Sequence, residues 1–328
     1  MRKVIVSLSL ALLLSACEEQ KYSTPASLEY SFSFETRSWP SSIVTNPANG
    51  DVYVLCIRHS LSNPVSEVQK FSKNGEFVNT LVDFYSFEGG SHLSYIPFDI
   101  TLGDHQNLNV LVRPRADPDP NEPGNHPTGF NILSFNPDGS FLDELDFSDI
   151  DGETRPSSIA YTNGYLFVTN GLTLKKISLE TRQITETTLP PISYDTFFHH
   201  LIVSDMEINS DGIVYFTGPD LLYNDSVGCQ VGVYNTQSNE LTIFYGNSWT
   251  GWFGARVNDP GLSIHSNGDV YLATFYNRSI EVYNRNMEFI LEKEINETGY
   301  ENPSPIDIAT FNEDVYVLDH RNDQVHVY

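Results

Sequence analysis

Hydrophobic residues in this chain fall in short alternating runs cut by turns, and the clearest set is Asn258–Ile295. Pro260–Ser266 alternates as one strand, and Asn267-Gly268 turns the chain into Asp269–Thr274. A loop around Tyr276-Asn277-Arg278 leads to Ile280–Asn284, and Arg285–Met287 turns into Glu288–Ile295. Runs rich in Val, Ile, Tyr and Phe, punctuated by Asn-Gly-type turns, predict strands joined as hairpins. The stretch is therefore read as four antiparallel strands. No 3.6-residue helical pattern is sustained in the chain beyond its leader.

Five weaker copies of the unit can be aligned on this one. Their second strands are anchored by Tyr53, Val110, Phe167, Tyr215 and Tyr316, with Tyr271 in the reference copy, at spacings of 45 to 57 residues. Most copies open on Pro-x-x-Ile: Pro40–Ile43, Pro97–Ile100, Pro156–Ile159 and Pro305–Ile308. A period of this size with four strands per repeat marks the blades of a propeller. The sixth copy stops after three strands, at Tyr328, while an alternating run at Leu28–Glu35 has no hairpin partner. The two anomalies resolve each other if the N-terminal run supplies the missing outer strand of the last blade. Closing the ring in this way also hides strand edges. The expectation is an all-β fold: one six-bladed β-propeller over residues 28–328, closed by an N-terminal strand that completes the last blade.

Pro-x-x-Ile, Asn267-Gly268-Asp269-Val270-Tyr271-Leu272 and Asn277-Arg278-Ser279-Ile280-Glu281-Val282-Tyr283 resemble the NHL-type repeat of six-bladed propellers. Asp314–Asp319 and Asn322–Val327 resemble it too, whereas the second and fourth copies depart through long insertions. That family hosts lyases, lactonases and plain binding proteins, so the resemblance bears on fold and leaves activity open.

The first 16 residues add an address. Arg2-Lys3 begins a short apolar run, Val4–Leu14, that ends in Leu14-Ser15-Ala16-Cys17. A run this short before small residues is a signal peptide and not a membrane span. Its end resembles the bacterial lipobox, which implies lipidation of Cys17 after cleavage. Residues 17–27 then form a lipidated tether, whose polar part Gln20–Ser27 spans at most roughly 30–35 Å. By the same resemblance, Glu18 in place of an inner-membrane retention aspartate implies the outer membrane of a Gram-negative bacterium, on its periplasmic side or at the cell surface. Membrane contact is expected through the lipid anchor only.

Charge excludes one class of partner. With 43 acidic against 18 basic residues and a net charge of −25, nucleic-acid binding is not expected. Cys56 and Cys229 fall in the first and fourth repeats, across the ring from each other, too far apart for a disulfide. No Cys–His spacing of a structural zinc site occurs.

The basic residues that remain are not scattered. On one face of a propeller lie the loops before each first strand and those joining second to third strands. Arg37, Arg155 and Arg256 fall in the former; Arg58, Arg113, Arg115, Arg278 and Arg321 fall in the latter. That is eight of the ten arginines that follow the leader, with Arg182 and Arg285 on the opposite face. The same loops carry Trp39, Trp252, His59, His199, His200 and His320. Arginine makes forked bonds to carboxylate and phosphate and stacks on aromatic rings. The candidate binding residues are therefore Arg37, Arg58, His59, Arg113, His199, His200, Trp252, Arg256, Arg278, His320 and Arg321. Each arginine could instead pair with a local aspartate or cap a blade.

The pattern predicts a non-enzymatic binding or scaffolding lipoprotein that takes a protein partner or a small anionic or carbohydrate-like ligand on this face. The alternative is a metal-dependent lyase or hydrolase on the same face. His59, His199 or His200, and His320 would supply a zinc site, but the His-x-His pair of similar amidating lyases is missing. A lactonase-like calcium site would draw on channel acids such as Glu207 and Asp307, which more often bond backbone or water. Asp117, Asp119 and Glu122 sit in the loop Arg113–Gly129, whose alternating prolines remove the flexibility a calcium loop needs. No cofactor is expected, and no catalytic residue can be assigned. A nucleophile elbow, a Walker loop and a dinucleotide fingerprint are all lacking.

Overall fold

The computed structural model describes residues 28–328 apart from 38, 59–64, 88–94, 115–128, 148–155, 171–172, 190–191, 195–196, 200–202, 204, 220–228, 246–260, 276, 297–298 and 300–301. Six four-stranded antiparallel sheets form the blades of a single propeller. Blade 1 runs Pro40–Thr45, Val52–Arg58, Val65–Phe71 and Phe77–Asp83. Blade 2 runs Tyr95–Leu102, Leu108–Pro114, Asn131–Phe135 and Phe141–Asp146. Blade 3 runs Pro156–Thr162, Tyr165–Asn170, Thr173–Ser178 and Ile184–Thr188. Blade 4 runs Asp205–Ile208, Ile213–Pro219, Cys229–Asn235 and Glu240–Tyr245. Blade 5 runs Gly261–Ile264, Val270–Thr274, Ser279–Tyr283 and Phe289–Glu294. Blade 6 takes Pro305–Phe311, Asp314–Asp319 and Gln324–Val327 from the C-terminus and Phe32–Glu35 from the N-terminus. The six inner strands touch in sequence, the last against the first, so the ring is closed.

The closing strand is shorter than the expected Leu28–Glu35. Only Phe32–Glu35 pairs, with Phe32 opposite Val327 and Glu35 opposite Gln324. Leu28 and Tyr30 still contribute by packing with Tyr328 in the seam between blades 5 and 6. A buried polar chain fixes the closure. Tyr30 Oη lies 2.8 Å from Ser33 Oγ, and Ser33 Oγ lies 2.8 Å from His326 Nδ1. His326 Nε2 is 3.1 Å from Asp319 Oδ2. This is the order hydroxyl–imidazole–carboxylate of a hydrolase triad, yet His326 and Asp319 are 0% exposed. No substrate reaches that imidazole, so the chain rivets one end of the polypeptide to the other. Burial would raise the Asp319 carboxyl, but hydrogen bonds from His326, Asn322 and the Ser304 amide outweigh it and hold the group below its ordinary value.

Each seam between neighbouring blades holds one hydrophobic cluster, six in all. The second-strand anchors Tyr53, Val110, Phe167, Tyr215, Tyr271 and Tyr316 are all buried there. Burying a large side chain of this kind contributes about 1.5–3 kcal/mol. Turns follow the Asn-Gly chemistry: Asn163 and Gly164 adopt φ of 49° and 80°, the left-handed pair of a tight hairpin. Cys56 is a thiol buried in blade 1, and Cys229 begins the third strand of blade 4. One element was not anticipated, a small hairpin of Ile192–Tyr194 with Phe197–His199 between blades 3 and 4.

Candidate functional site

Two regions carry chemistry: the central channel and the loop face around its mouth. The channel is built from one position of the repeat, the residue before the Ile or its equivalent in each inner strand. Round the ring this position reads Ser42, Asp99, Ser158, Asp205, Gly261 and Asp307. Aspartate therefore alternates with a small residue, and each carboxylate reaches to the next blade. Asp99 Oδ2 accepts the Ile159 amide at 2.8 Å and the Ser158 hydroxyl at 2.7 Å, while its Oδ1 accepts the Ser42 hydroxyl at 2.7 Å. Asp205 Oδ2 accepts the Leu262 amide at 2.6 Å, and Asp307 Oδ2 accepts the Ile43 amide at 2.8 Å. The other oxygen of each takes the amide of its own successor, Ile100, Met206 or Ile308, at 2.7–2.8 Å. Gly261 has the same positional logic. A Cβ there would stand 2.3 Å from Asp307 Cα, so only glycine lets blades 5 and 6 approach.

Burial, and then mutual repulsion, raise these acids. Asp205 is pushed up to about 7, first by burial and then by Asp99. Glu207, two residues further along the same strand and so on the same side, is pushed up to about 8 by burial, then by Asp205 and Asp99. Burial raises Asp307 well above its ordinary value, with Asp205 and Asp99 adding to it. Asp99 is raised by burial against opposing hydrogen bonds. Asp99 and Asp205 were missed as a functional set in the sequence, although the signal was there: an Asp in this position of every second copy.

On the loop face, the structure joins the loop before blade 1 to the loop between the second and third strands of blade 6. Trp39 is the pivot. It has φ 43°, a left-handed value that a bulky residue adopts only under constraint. Its amide donates to Asp323 Oδ1 at 2.6 Å, and its carbonyl accepts the Ile57 amide at 3.0 Å. The indole packs against the His320 ring at 5.8 Å and remains 47% exposed. His320 Nδ1 lies 2.8 Å from the Pro40 carbonyl oxygen, which fixes the imidazole across the same seam. Arg321 follows it, exposed, with its amide donating to Asp319 Oδ1 at 3.1 Å.

The remaining expected residues are distributed as follows. Arg37 is exposed but leans on blade 1, 3.8 Å from Glu67 Oε2 and 5.6 Å from the Phe77 ring centre. Arg113 is half-buried, its guanidinium 5.8 Å from the Phe98 ring centre. Arg278 is exposed in a turn with φ 53°. Arg58 ends the second strand of blade 1, and His199 ends the small hairpin. Cys17, His59, His200, Trp252 and Arg256 lie outside the described residues, as do Arg115 and Arg155. Thus Trp39, His320 and Arg321 meet at one seam, while Arg37 and Arg113 are engaged by their own neighbourhoods. Among the described residues no three His, Cys, Asp or Glu side chains group as a metal site. Asp99, Asp205 and Asp307 in particular spend their oxygens on main-chain amides.

Known folds agree with this architecture. Virginiamycin B lyase from Staphylococcus aureus superposes with a TM-score of 0.53 at 13% identity, over 91% of this chain and 99% of that one. A streptogramin B lyase superposes at 0.54 and 12% identity, over 90% and 95% of the two chains. A structural genomics protein of unknown function from Bacteroides thetaiotaomicron gives 0.56 and 11% identity, over 92% and 70%. No family model and no curated protein matches the sequence. The chain is a six-bladed β-propeller, and at these identities the likeness is one of fold.

Proposed function

We propose that this chain is a lipid-tethered binding or scaffolding propeller of NHL-like type. It recognises a protein partner or a small anionic or carbohydrate-like ligand through its arginine- and aromatic-rich loop face. The observation that carries the reading is Trp39: an exposed indole held in a strained backbone by Asp323, beside His320 and Arg321. Backbone strain and an exposed tryptophan both cost stability unless the surface is used. Tryptophan and arginine are also the usual anchors of interfaces. Cys17 anchors the domain, and the tether holds this surface near a membrane without inserting it.

The enzymatic reading draws less support. Similar folds include proteins named as lyases, but the oxygens of Asp99, Asp205 and Asp307 are taken up by the ring, and among the described residues no three ligating side chains group as a metal site. Zinc or calcium retained stoichiometrically after purification without chelator would revive that reading. The binding reading is tested by replacing Arg58, Arg256 and Arg321 together with alanine. Loss of capture of envelope species that bind the wild-type chain, with unchanged thermal unfolding, is expected. Undiminished capture would refute it. Cys17→Ser is expected to move the protein from the membrane to the soluble fraction.

A further inference from the structure

A second site lies on the opposite end of the disc, in the seam between blades 3 and 4. The inner part of this seam is apolar, with Phe167 and Leu174 of blade 3 packed on Met206, Val214 and Phe216 of blade 4. Further out, Leu241 and Ile243 of blade 4 still pack against this cluster. The outer strand of blade 3 turns Thr185 and Thr187 to the seam, and a groove of about 450 Å³ opens between them and Tyr234. The corresponding part of the seam between blades 1 and 2 is filled by Phe84, Phe87, Phe135 and Phe141, with ring centres 5.4–6.3 Å apart. Phe84 and Phe87 follow the outer strand of blade 1, whereas this groove is walled by hydroxyl side chains of the outer strand of blade 3 itself. The groove's volume falls in the roughly 300–1,000 Å³ range of small-molecule sites.

The walls define the occupant by chemistry. Ser178, Thr181, Thr185, Thr187 and Thr236 offer hydroxyls, each both donor and acceptor, and Gln183 adds an amide. Lys176 and Glu180 are the charged lining residues, one of each sign, so the groove favours neither anion nor cation. In a chain of net charge −25 such local neutrality is distinct from the general surface. Tyr165 gives an aromatic wall, 37% exposed, and Lys176 Nζ sits 4.0 Å from its ring centre, which orders both side chains. Hydroxyls of dual character beside an aromatic ring suit a ligand with hydroxyls on its edges and C–H groups on its faces. We propose that the groove between blades 3 and 4 binds a neutral carbohydrate of one or two hexose units. Because it opens beside the turn 178–183, on the side away from Trp39 and Arg321, it stands independently of the loop-face reading.

Titration of the full mature chain with maltose, cellobiose, lactose and chitobiose, followed by protein NMR, tests this. At least one probe is expected to saturate, with shifts at Tyr165, Lys176 and Thr187. Thr187→Phe, which fills the groove, and Tyr165→Ala, which removes the wall, are each expected to weaken it at least tenfold. Arg321→Ala is expected to leave it unchanged. Should Thr187→Phe fail to fold, Tyr165→Ala at an exposed position decides. Absence of binding tighter than about 10 mM by all four probes, or binding that survives both substitutions, would overturn the proposal.

Discussion

Replacing Asp307 by alanine removes the acceptor that ties blade 6 to blade 1 at the axis and a second that holds its own strand. The Ile43 amide loses its 2.8 Å bond to Oδ2, and the Ile308 amide loses its 2.8 Å bond to Oδ1. A buried donor left without a partner costs about 1–3 kcal/mol, so two cost about 2–6 kcal/mol. Two effects act in the opposite direction. Removing the carboxyl relieves its repulsion with Asp205 and Asp99, and water entering the channel can satisfy one amide. A net loss of about 3 kcal/mol is therefore expected, or a fall in Tm of about 5–10 °C. Asp307→Asn, which keeps one acceptor, should lose about half as much. Urea unfolding at pH 7 measures both, read from the midpoint at constant slope. If Asp307→Ala lies within about 0.5 kcal/mol of wild type, as a surface substitution would, the axial carboxylates do not clasp the ring and the argument fails.

Other outcomes follow from the same geometry. Gly261→Ala places a Cβ 2.3 Å from Asp307 Cα and should destabilise by at least 2 to 3 kcal/mol, about the cost of overpacking a core; a normal melting curve would contradict the close approach of blades 5 and 6. Asp205 at about 7 and Glu207 at about 8 hold protons that the unfolded chain releases near pH 4, so stability should fall as pH rises from about 4 to about 8 and level off above that. The change is on the order of a few kcal/mol, and Glu207→Gln should flatten the melting-temperature profile, whereas a profile that rises with pH would oppose the assignment. Ser33→Ala removes the hydroxyl that lies 2.8 Å from His326 Nδ1 and should cost about 0.5–1.5 kcal/mol in chemical unfolding, and deleting residues 28–35 should abolish cooperative folding. An unchanged thermal midpoint in that deletion would refute closure by the N-terminal strand.

Much of the fold was legible because each blade is a local object. Tyr271, Asn267-Gly268 and their counterparts act within about forty residues, so alternation and turn chemistry report them directly. The closing strand was legible from a counting mismatch, though its paired length was not: Leu28 and Tyr30 pack against Tyr328 without joining the ladder. What escaped depends on contacts between blades. Asp99 bonds residues 57 and 60 positions away, and Asp307 bonds Ile43 across 264 positions. No periodicity encodes those partners, although the alternation of Asp with Ser or Gly hints at them. Arg37 shows the converse. It is placed correctly by loop order, but Glu67 and Phe77, brought beside it only by folding, decide where its side chain lies. The left-handed backbone of Trp39 runs against its local preference and exists because Asp323, from the far end of the chain, holds its amide.

Two roles are separated on one axis: carboxylates inside hold the ring, and the arginine and aromatic side chains of the loop face are proposed to bind. One comparison tests that separation most directly. Envelope species captured by the mature chain should be quantified for wild type, Asp205→Asn and the Arg58, Arg256 and Arg321 triple alanine variant, all below their unfolding temperatures. Capture by Asp205→Asn should stay close to wild type and capture by the triple variant should be lost. Capture lost with Asp205→Asn and kept by the triple variant would put the functional centre in the channel and contradict that separation.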